Sequence, residues 1–240
     1  MSAVLEAAGL SAGYAGAAVV RDLDLEVHAG EVVAILGPNG AGKTTTMLTL
    51  AGDLRPIAGE TRFCGAATKA PLHRRARGGL ALITEERSLA MSLTVRQNIA
   101  IGRCDAGRVT ALFPELEPML GRRTGLLSGG EQQMLALGRA LARRNTKALL
   151  ADELSLGLAP KLVGRLLEGV RAAADDGVAV LLVEQHVHRV LDIADRVYVL
   201  AHGRVEYRGN AADARERIDE ISAHYLSSNN GGSPSRAAVD

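Results

Sequence analysis

Residues Ile35–Met47 read ILGPNGAGKTTTM. Within them, Gly37-x-x-x-x-Gly42-Lys43-Thr44 has the spacing of a phosphate-binding loop. Glycines at 37, 40 and 42 let the backbone curl until its N–H groups point inward, and a helix opening at Lys43 adds the partial positive charge of its N-terminus. The plain alternative is a Gly-rich surface turn. The neighbours argue against it: EVVAILG (Glu31–Gly37) is the continuous apolar run of a strand buried on both faces of a parallel sheet. KTTTMLTLAG then predicts a helix closing on a left-handed Gly52. In that setting Lys43 neutralises the β- and γ-phosphates of a nucleotide and the Thr44 hydroxyl ligates Mg²⁺.

Outward from the loop, short strands are expected at VLEAAGLSAGY and DLDLEVHAGE, then at GGLALIT (Gly78–Thr84), KALLAD (Lys147–Asp152), VAVLLVE (Val178–Glu184) and RVYVLAHGRV (Arg196–Val205). Helical spacing dominates from about Glu86 to Arg144, and LVGRLLEGVRAAADD carries a stripe through Leu162, Leu166 and Val170. Strands alternating with helices imply a mainly parallel α/β sheet with a helical insertion. No internal repeat is visible. The Ser/Gly/Asn-rich end, residues 227–240, is expected to be disordered.

Composition narrows the function. A chain of 240 residues with 47% hydrophobic content has room for one large domain, or for a domain with an insertion. With no Trp, four Tyr and two Phe, aliphatic packing must fill its core. A net charge of +1 argues against a nucleic-acid surface spread over the molecule, and HRRAR (His73–Arg77) and GRR (Gly121–Arg123) read as solvated faces. Cys64 and Cys104 have no metal-ligand spacing and need no disulfide. His186-Val187-His188 makes no convincing metal site either. The N-terminal stretch lacks the pattern of a secretory leader, and no run approaches the ~18 apolar residues of a membrane span.

Two further motifs carry chemistry. ALLADE ends an apolar strand in Asp152 and Glu153, at the carboxyl edge where open α/β sheets hold ligands. Asp152 suits a Mg²⁺ shell, and Glu153 a general base for water. Alone, the two acids are equally an acidic pair starting a loop. LLSGGEQQM (Leu126–Met134) places Ser128, Gly129 and Gly130 before a helix with a stripe through Met134, Leu137 and Leu141. That is a second anion site or, as a lone motif, simply a Ser-capped helix.

Gly37–Thr44, Leu127-Ser128-Gly129-Gly130-Glu131-Gln132 and Asp152-Glu153, in that order, resemble the ATP-binding cassette (ABC) ATPases. The resemblance implies an α/β P-loop NTPase cassette with a mainly parallel core sheet, an antiparallel N-terminal β subdomain and an inserted helical subdomain. It covers residues 1–226 as one ABC ATP-binding domain, with the insertion at about 86–144. It implies ATP and Mg²⁺, with Gly37, Pro38, Asn39, Gly40, Ala41, Gly42, Lys43, Thr44 and Thr45 on the phosphates. Two cassettes, in a homo- or heterodimer, then face head to tail, with Ser128, Gly129, Gly130 and Glu131 of one closing over the nucleotide of the other. Closure and release would move transmembrane permease subunits, received at the helical insertion, on the cytoplasmic face of the cell membrane. A substrate-binding protein is an indirect partner, and no nucleic acid is expected.

TEERSLAMSLTVRQNIAIG, FPEL, DELSLGLAP and LLVEQH…ADRVYVL further resemble the LivF-type cassettes of branched-chain amino acid importers. In that subgroup glutamate replaces the usual Q-loop glutamine, here Glu85 beside the metal, and glutamine replaces the switch histidine, here Gln185 with His186 as the adjacent alternative. Tyr14 stands where the family stacks an aromatic on adenine, or else is a turn residue with a buried ring. Leu154 and Thr146 stand where the subgroup has prolines, and Thr84-Glu85-Glu86 replaces Pro-Glu-Gly. These losses are expected to loosen the loops that aim Glu153 and Glu85. A lipid-type exporter cassette and a soluble nucleotide-gated interaction module are the competing readings.

Overall fold

The computed structural model describes residues 2–184, 187–217, 220, 221 and 223. In chain order the elements are β1 (Leu5–Tyr14), β2 (Ala17–Val27), β3 (Val32–Leu36), α1 (Lys43–Ala51), β4 (Ala58–Phe63), β5 (Ala66–Ala67), α2 (Leu72–Arg77) and β6 (Leu80–Ile83). Then come α3 (Val95–Ile101), α4 (Ala106–Leu112), α5 (Gly129–Leu141), β7 (Ala148–Asp152), α6 (Pro160–Asp175) and β8 (Ala179–Val183). The last are α7 (Val187–Leu191), β9 (Arg196–Ala201), β10 (Arg204–Asn210) and α8 (Ala211–Glu216).

Two sheets organise them. A four-stranded antiparallel sheet has the order β2-β1-β4-β5, and a six-stranded sheet the order β10-β9-β3-β8-β7-β6. In the larger sheet every pairing is parallel except β9 with β10. The two-residue period of its strands sorts their side chains into separate cores. Val33, Ile35, Ala148, Leu150, Leu181 and Val183 face α1 and the antiparallel sheet. Ala81, Ile83, Leu149, Ala151, Val180 and Leu182 face α5, α6 and the helical insertion. Both faces are covered, hence the uninterrupted apolar runs.

The insertion between β6 and β7 closes around Phe113, which is fully buried, one of only two phenylalanines in the chain. Its ring lies against Gly138 of α5 and Gly169 of α6, and the Arg165 guanidinium sits 5.3 Å from its centroid. The helical spacing expected over residues 86–144 is interrupted at Leu112, because Pro114 cannot continue α4, and a 3₁₀ turn over Pro114–Met119 follows.

Two sequence expectations are corrected. RVYVLAHGRV is a hairpin, β9–β10, and not one strand. His202 and Gly203 both take positive φ, as do Ala15-Gly16 and Cys64-Gly65 at the other hairpin tips, the two-residue turn that matches strand twist. HRRAR is not wholly a solvated face either. Arg75 is 4% exposed and donates to the carbonyls of Leu50, Ala70 and Thr68 and to the Thr61 hydroxyl. It ties the end of α1 to α2 and the antiparallel sheet, and burial holds its pKa below the ordinary arginine value.

Truncating Arg75 strands those carbonyls in the interior. Arg75→Leu is expected to lower stability by about 3 kcal/mol, read as a fall in the urea midpoint at unchanged m-value; an unshifted midpoint refutes it.

Candidate functional site

β3 ends at Leu36 and the chain turns at once into the loop leading to α1. Gly37 has φ 155°, and a Cβ there would collide with the Leu200 carbonyl of β9. Glycine is therefore required where the loop grazes its neighbour strand. Gly40 and Gly42 both take positive φ, and Gly42 is the residue from which α1 starts. The first N–H groups of α1 have no acceptor within the helix, so Pro38, Asn39, Gly40, Ala41, Gly42, Thr44 and Thr45 lie around a helix N-terminus open to an anion.

Lys43 is 6% exposed, and its Nζ donates to the carbonyls of Gly37 (2.6 Å) and Pro38 (3.0 Å). Burial lowers its pKa below the ordinary lysine value, while the Glu153 and Asp152 carboxylates pull it back up. The Thr44 hydroxyl donates to Asp152 Oδ2 at 2.7 Å. Burial raises the Asp152 pKa; the Thr44 bond and Lys43 oppose this, whereas Glu153 and Glu85 add to it. Asp152 Oδ1 is buried without a hydrogen-bond partner. A buried carboxylate oxygen left bare, beside a hydroxyl and two further carboxylates, fits a divalent cation. Glu153 follows in the left-handed region at φ 48°, its N–H donating to Val183 O of β8 at 2.8 Å.

Tyr14 sits at the tip of the β1–β2 hairpin and is 52% exposed. Val20 of the same hairpin lies against Gly42, so the tip flanks the phosphate loop. Glu85 lies in the exposed loop after β6, where Arg87 Nη1 donates to Gln132 Oε1 of α5 at 3.0 Å. That bond joins the Glu85 loop to the helical insertion.

Ser128, Gly129, Gly130 and Glu131 stand apart from this cluster. Ser128 caps α5, its hydroxyl accepting from Glu131 N–H while Glu131 accepts from Ser128 N–H, a full capping box. Gly130 packs on Leu162, and Gly129 is exposed with nothing closer than 3.8 Å to a Cβ position. Among the described residues, residues 128–131 make no hydrogen bond to Gly37, Lys43 or Thr44. Gln185 and His186 lie outside the described residues, as does the segment 227–240.

Sequence reasoning missed one pair. Ser155, two residues after Glu153, and Glu184 are buried and bonded to each other. Their signal was faint: a polar residue in each of two apolar stretches. Leu154 is 1% exposed in the core beneath the helical insertion, and Thr146 donates its hydroxyl to Ala140 O. Cys64 and Cys104 are both free.

The sequence pattern of the family described as "ABC transporter" matches residues 20–155, more than half of the chain. The chain belongs to the ABC transporter family. It is similar to the high-affinity branched-chain amino acid transport ATP-binding protein BraG of Pseudomonas aeruginosa, 39% identical, covering 82% of this chain and 88% of that one. It is also similar to the probable branched-chain amino acid transport ATP-binding protein LivF of Archaeoglobus fulgidus, 34% identical over 89% of this chain and 94% of that one. Among solved structures, an ATP-binding subunit of an ABC transporter superposes with a TM-score of 0.81 at 26% identity, covering 93% of this chain and 99% of that one. As an ABC cassette the chain binds and hydrolyses ATP. No helix of its described residues is long and apolar enough to cross a membrane.

The bare oxygen of Asp152 makes a stability prediction. Without nucleotide, Asp152→Asn removes a buried charge and keeps an acceptor for Thr44. It is expected to stabilise the chain by about 1 kcal/mol, raising the melting temperature by about 2–4 °C. A lowered melting temperature contradicts this account of the site.

Proposed function

We propose that this cassette powers an importer for branched-chain or related hydrophobic amino acids, as one of a head-to-tail pair of cassettes bound to transmembrane permease subunits. The pair would sit on the cytoplasmic face of the cell membrane, with a substrate-binding protein delivering cargo from the other side. The convergence of Lys43, Thr44, Asp152 and Glu153 on one buried carboxylate edge carries the nucleotide chemistry. The similarity to BraG and LivF supports the cargo class.

Each residue has a role in this reading. The loop from Gly37 to Thr45 cradles the phosphates, with Lys43 exchanging its two carbonyl partners for the β- and γ-phosphate oxygens. Tyr14 stacks on the adenine. Thr44 and Asp152 hold Mg²⁺ with Glu85 at its edge, and the ion, when bound, neutralises charge building on the phosphate oxygens. Glu153 orients the attacking water and takes its proton. Gln185 senses the γ-phosphate, with His186 next in line. Ser128, Gly129, Gly130 and Glu131 open α5 and, among the described residues, make no bond to Lys43 or Thr44 of their own chain, which favours their use on the nucleotide of a second cassette. A groove of about 240 Å³, lined by Leu82, Arg87, Ala136, Arg139 and Arg143, lies beside the Glu85 loop and supports a seat for the permease.

Glu153→Gln is expected to retain ATP binding, lower turnover by at least about a hundredfold and accumulate an ATP-bound dimer on gel filtration. Wild-type hydrolysis in that variant removes Glu153 from its role. Ser128→Arg should block turnover without weakening ATP binding to the isolated chain, and full activity there rejects the two-cassette arrangement. For cargo, affinity capture from detergent-solubilised membranes should recover multi-span permeases, and reconstituted vesicles should take up leucine when ATP is supplied. Recovery of soluble proteins only, or ATP-driven efflux, rejects the importer.

A further inference from the structure

Past the end of the sheet, the chain around Glu153 is held by a contact that no phosphate motif includes. β7 and β8 run parallel with Asp152 opposite Val183, and the Glu153 N–H continues the ladder to Val183 O. There backbone pairing ends and side chains take over. Ser155 N–H donates to Glu184 Oε1 at 3.1 Å, and Ser155 Oγ donates to Glu184 Oε2 at 2.6 Å. Both residues are deeply buried, Ser155 at 5% and Glu184 at 1% exposure.

The two donors address both oxygens of one carboxylate, a charge-assisted fork that fixes the direction of the loop as well as its distance. The same loop contains the strained position. Glu153 at φ 48° adopts a conformation that residues with a Cβ rarely take, and such a conformation persists only where its surroundings over-determine it. Leu154 follows, anchored by burial of its side chain. Backbone bonds from Leu156 N–H to Glu153 O and from Leu158 N–H to Ser155 O coil the rest of the loop. Beyond the ladder, the Ser155–Glu184 fork ties this coil to the neighbouring strand.

We propose that Ser155 and Glu184 form a positioning pair that holds Glu153 in register with Lys43 and makes the ends of β7 and β8 move as one body. Ser155 is two residues after Glu153, and Glu184 directly precedes Gln185 in sequence. Each member of the pair thus lies within two residues, along the chain, of a group assigned to the γ-phosphate. Neither Ser155 nor Glu184 touches nucleotide in this scheme. The proposal rests on the reading of Glu153 as the residue that activates water.

The test compares full-length Ser155→Ala, Ser155→Thr, Glu184→Gln and the Ser155→Ala/Glu184→Gln double variant, with Glu153→Gln run alongside. Loss of aim should lower kcat by about tenfold to a hundredfold, while KM for ATP and binding of a fluorescent ATP analogue stay within about twofold of wild type. Ser155→Thr, which keeps the hydroxyl, should restore most of kcat. The double variant should be no slower than the slower single, since the pair acts as a unit. Wild-type kcat in Ser155→Ala or Glu184→Gln overturns the proposal. So does a fall in kcat that tracks lost ATP binding and a lowered melting temperature and is not recovered by threonine, the mark of a merely structural bond. If Glu153→Gln turns over normally, the reading of Glu153 fails instead; if it is inactive while Ser155→Ala is not, the positioning pair alone fails.

Discussion

The hydrogen bond from Thr44 to Asp152 joins residues 108 apart in sequence, and much of the fold can be understood as what makes it possible. Thr44 stands on the first turn of α1, which follows β3, Asp152 stands at the end of β7, and β8 lies between β3 and β7. The two meet only because these strands are parallel and end at one edge. Parallel strands need cover on both faces. The antiparallel sheet with α1 supplies one cover, and α6 with the helical insertion supplies the other. The polar edge is what remains uncovered, and the acids gather there.

Much of this was legible from residue types. Apolar runs at Val32–Leu36, Ala148–Asp152 and Ala179–Val183 mark the central strands because burial on both faces leaves no room for alternation. The helix after the phosphate loop ends at Gly52 in the left-handed region, as its sequence suggests. Other features were not legible, for physical reasons. β4 and β5 are made of residues such as Ala58, Gly59 and Ala66, whose strand preference comes from pairing and not from their own side chains. The turn at His202-Gly203 lacks the Asn or Asp that announces a two-residue hairpin. Arg75 reads as surface until the carbonyls around it are known, since nothing local distinguishes it from Arg74 or Arg77.

The site shows the same division. Lys43, Thr44, Asp152 and Glu153 stand close together, as motif spacing within a parallel sheet requires. What spacing cannot express is how the loops are held. Leu154 is sealed into a core and the Thr146 hydroxyl bonds back to α5. Burial and side-chain hydrogen bonds hold these positions, and no short pattern records them.

β10 closes one margin of the large sheet, with Arg204, Glu206 and Arg208 turned to solvent between the partly covered Val205, Tyr207 and Gly209. An open strand margin is a template for another chain, and alternating charge along it is a common deterrent. The opposite margin, β6, is packed against α2 and α5. The β10 margin therefore gives another copy little invitation to add a strand.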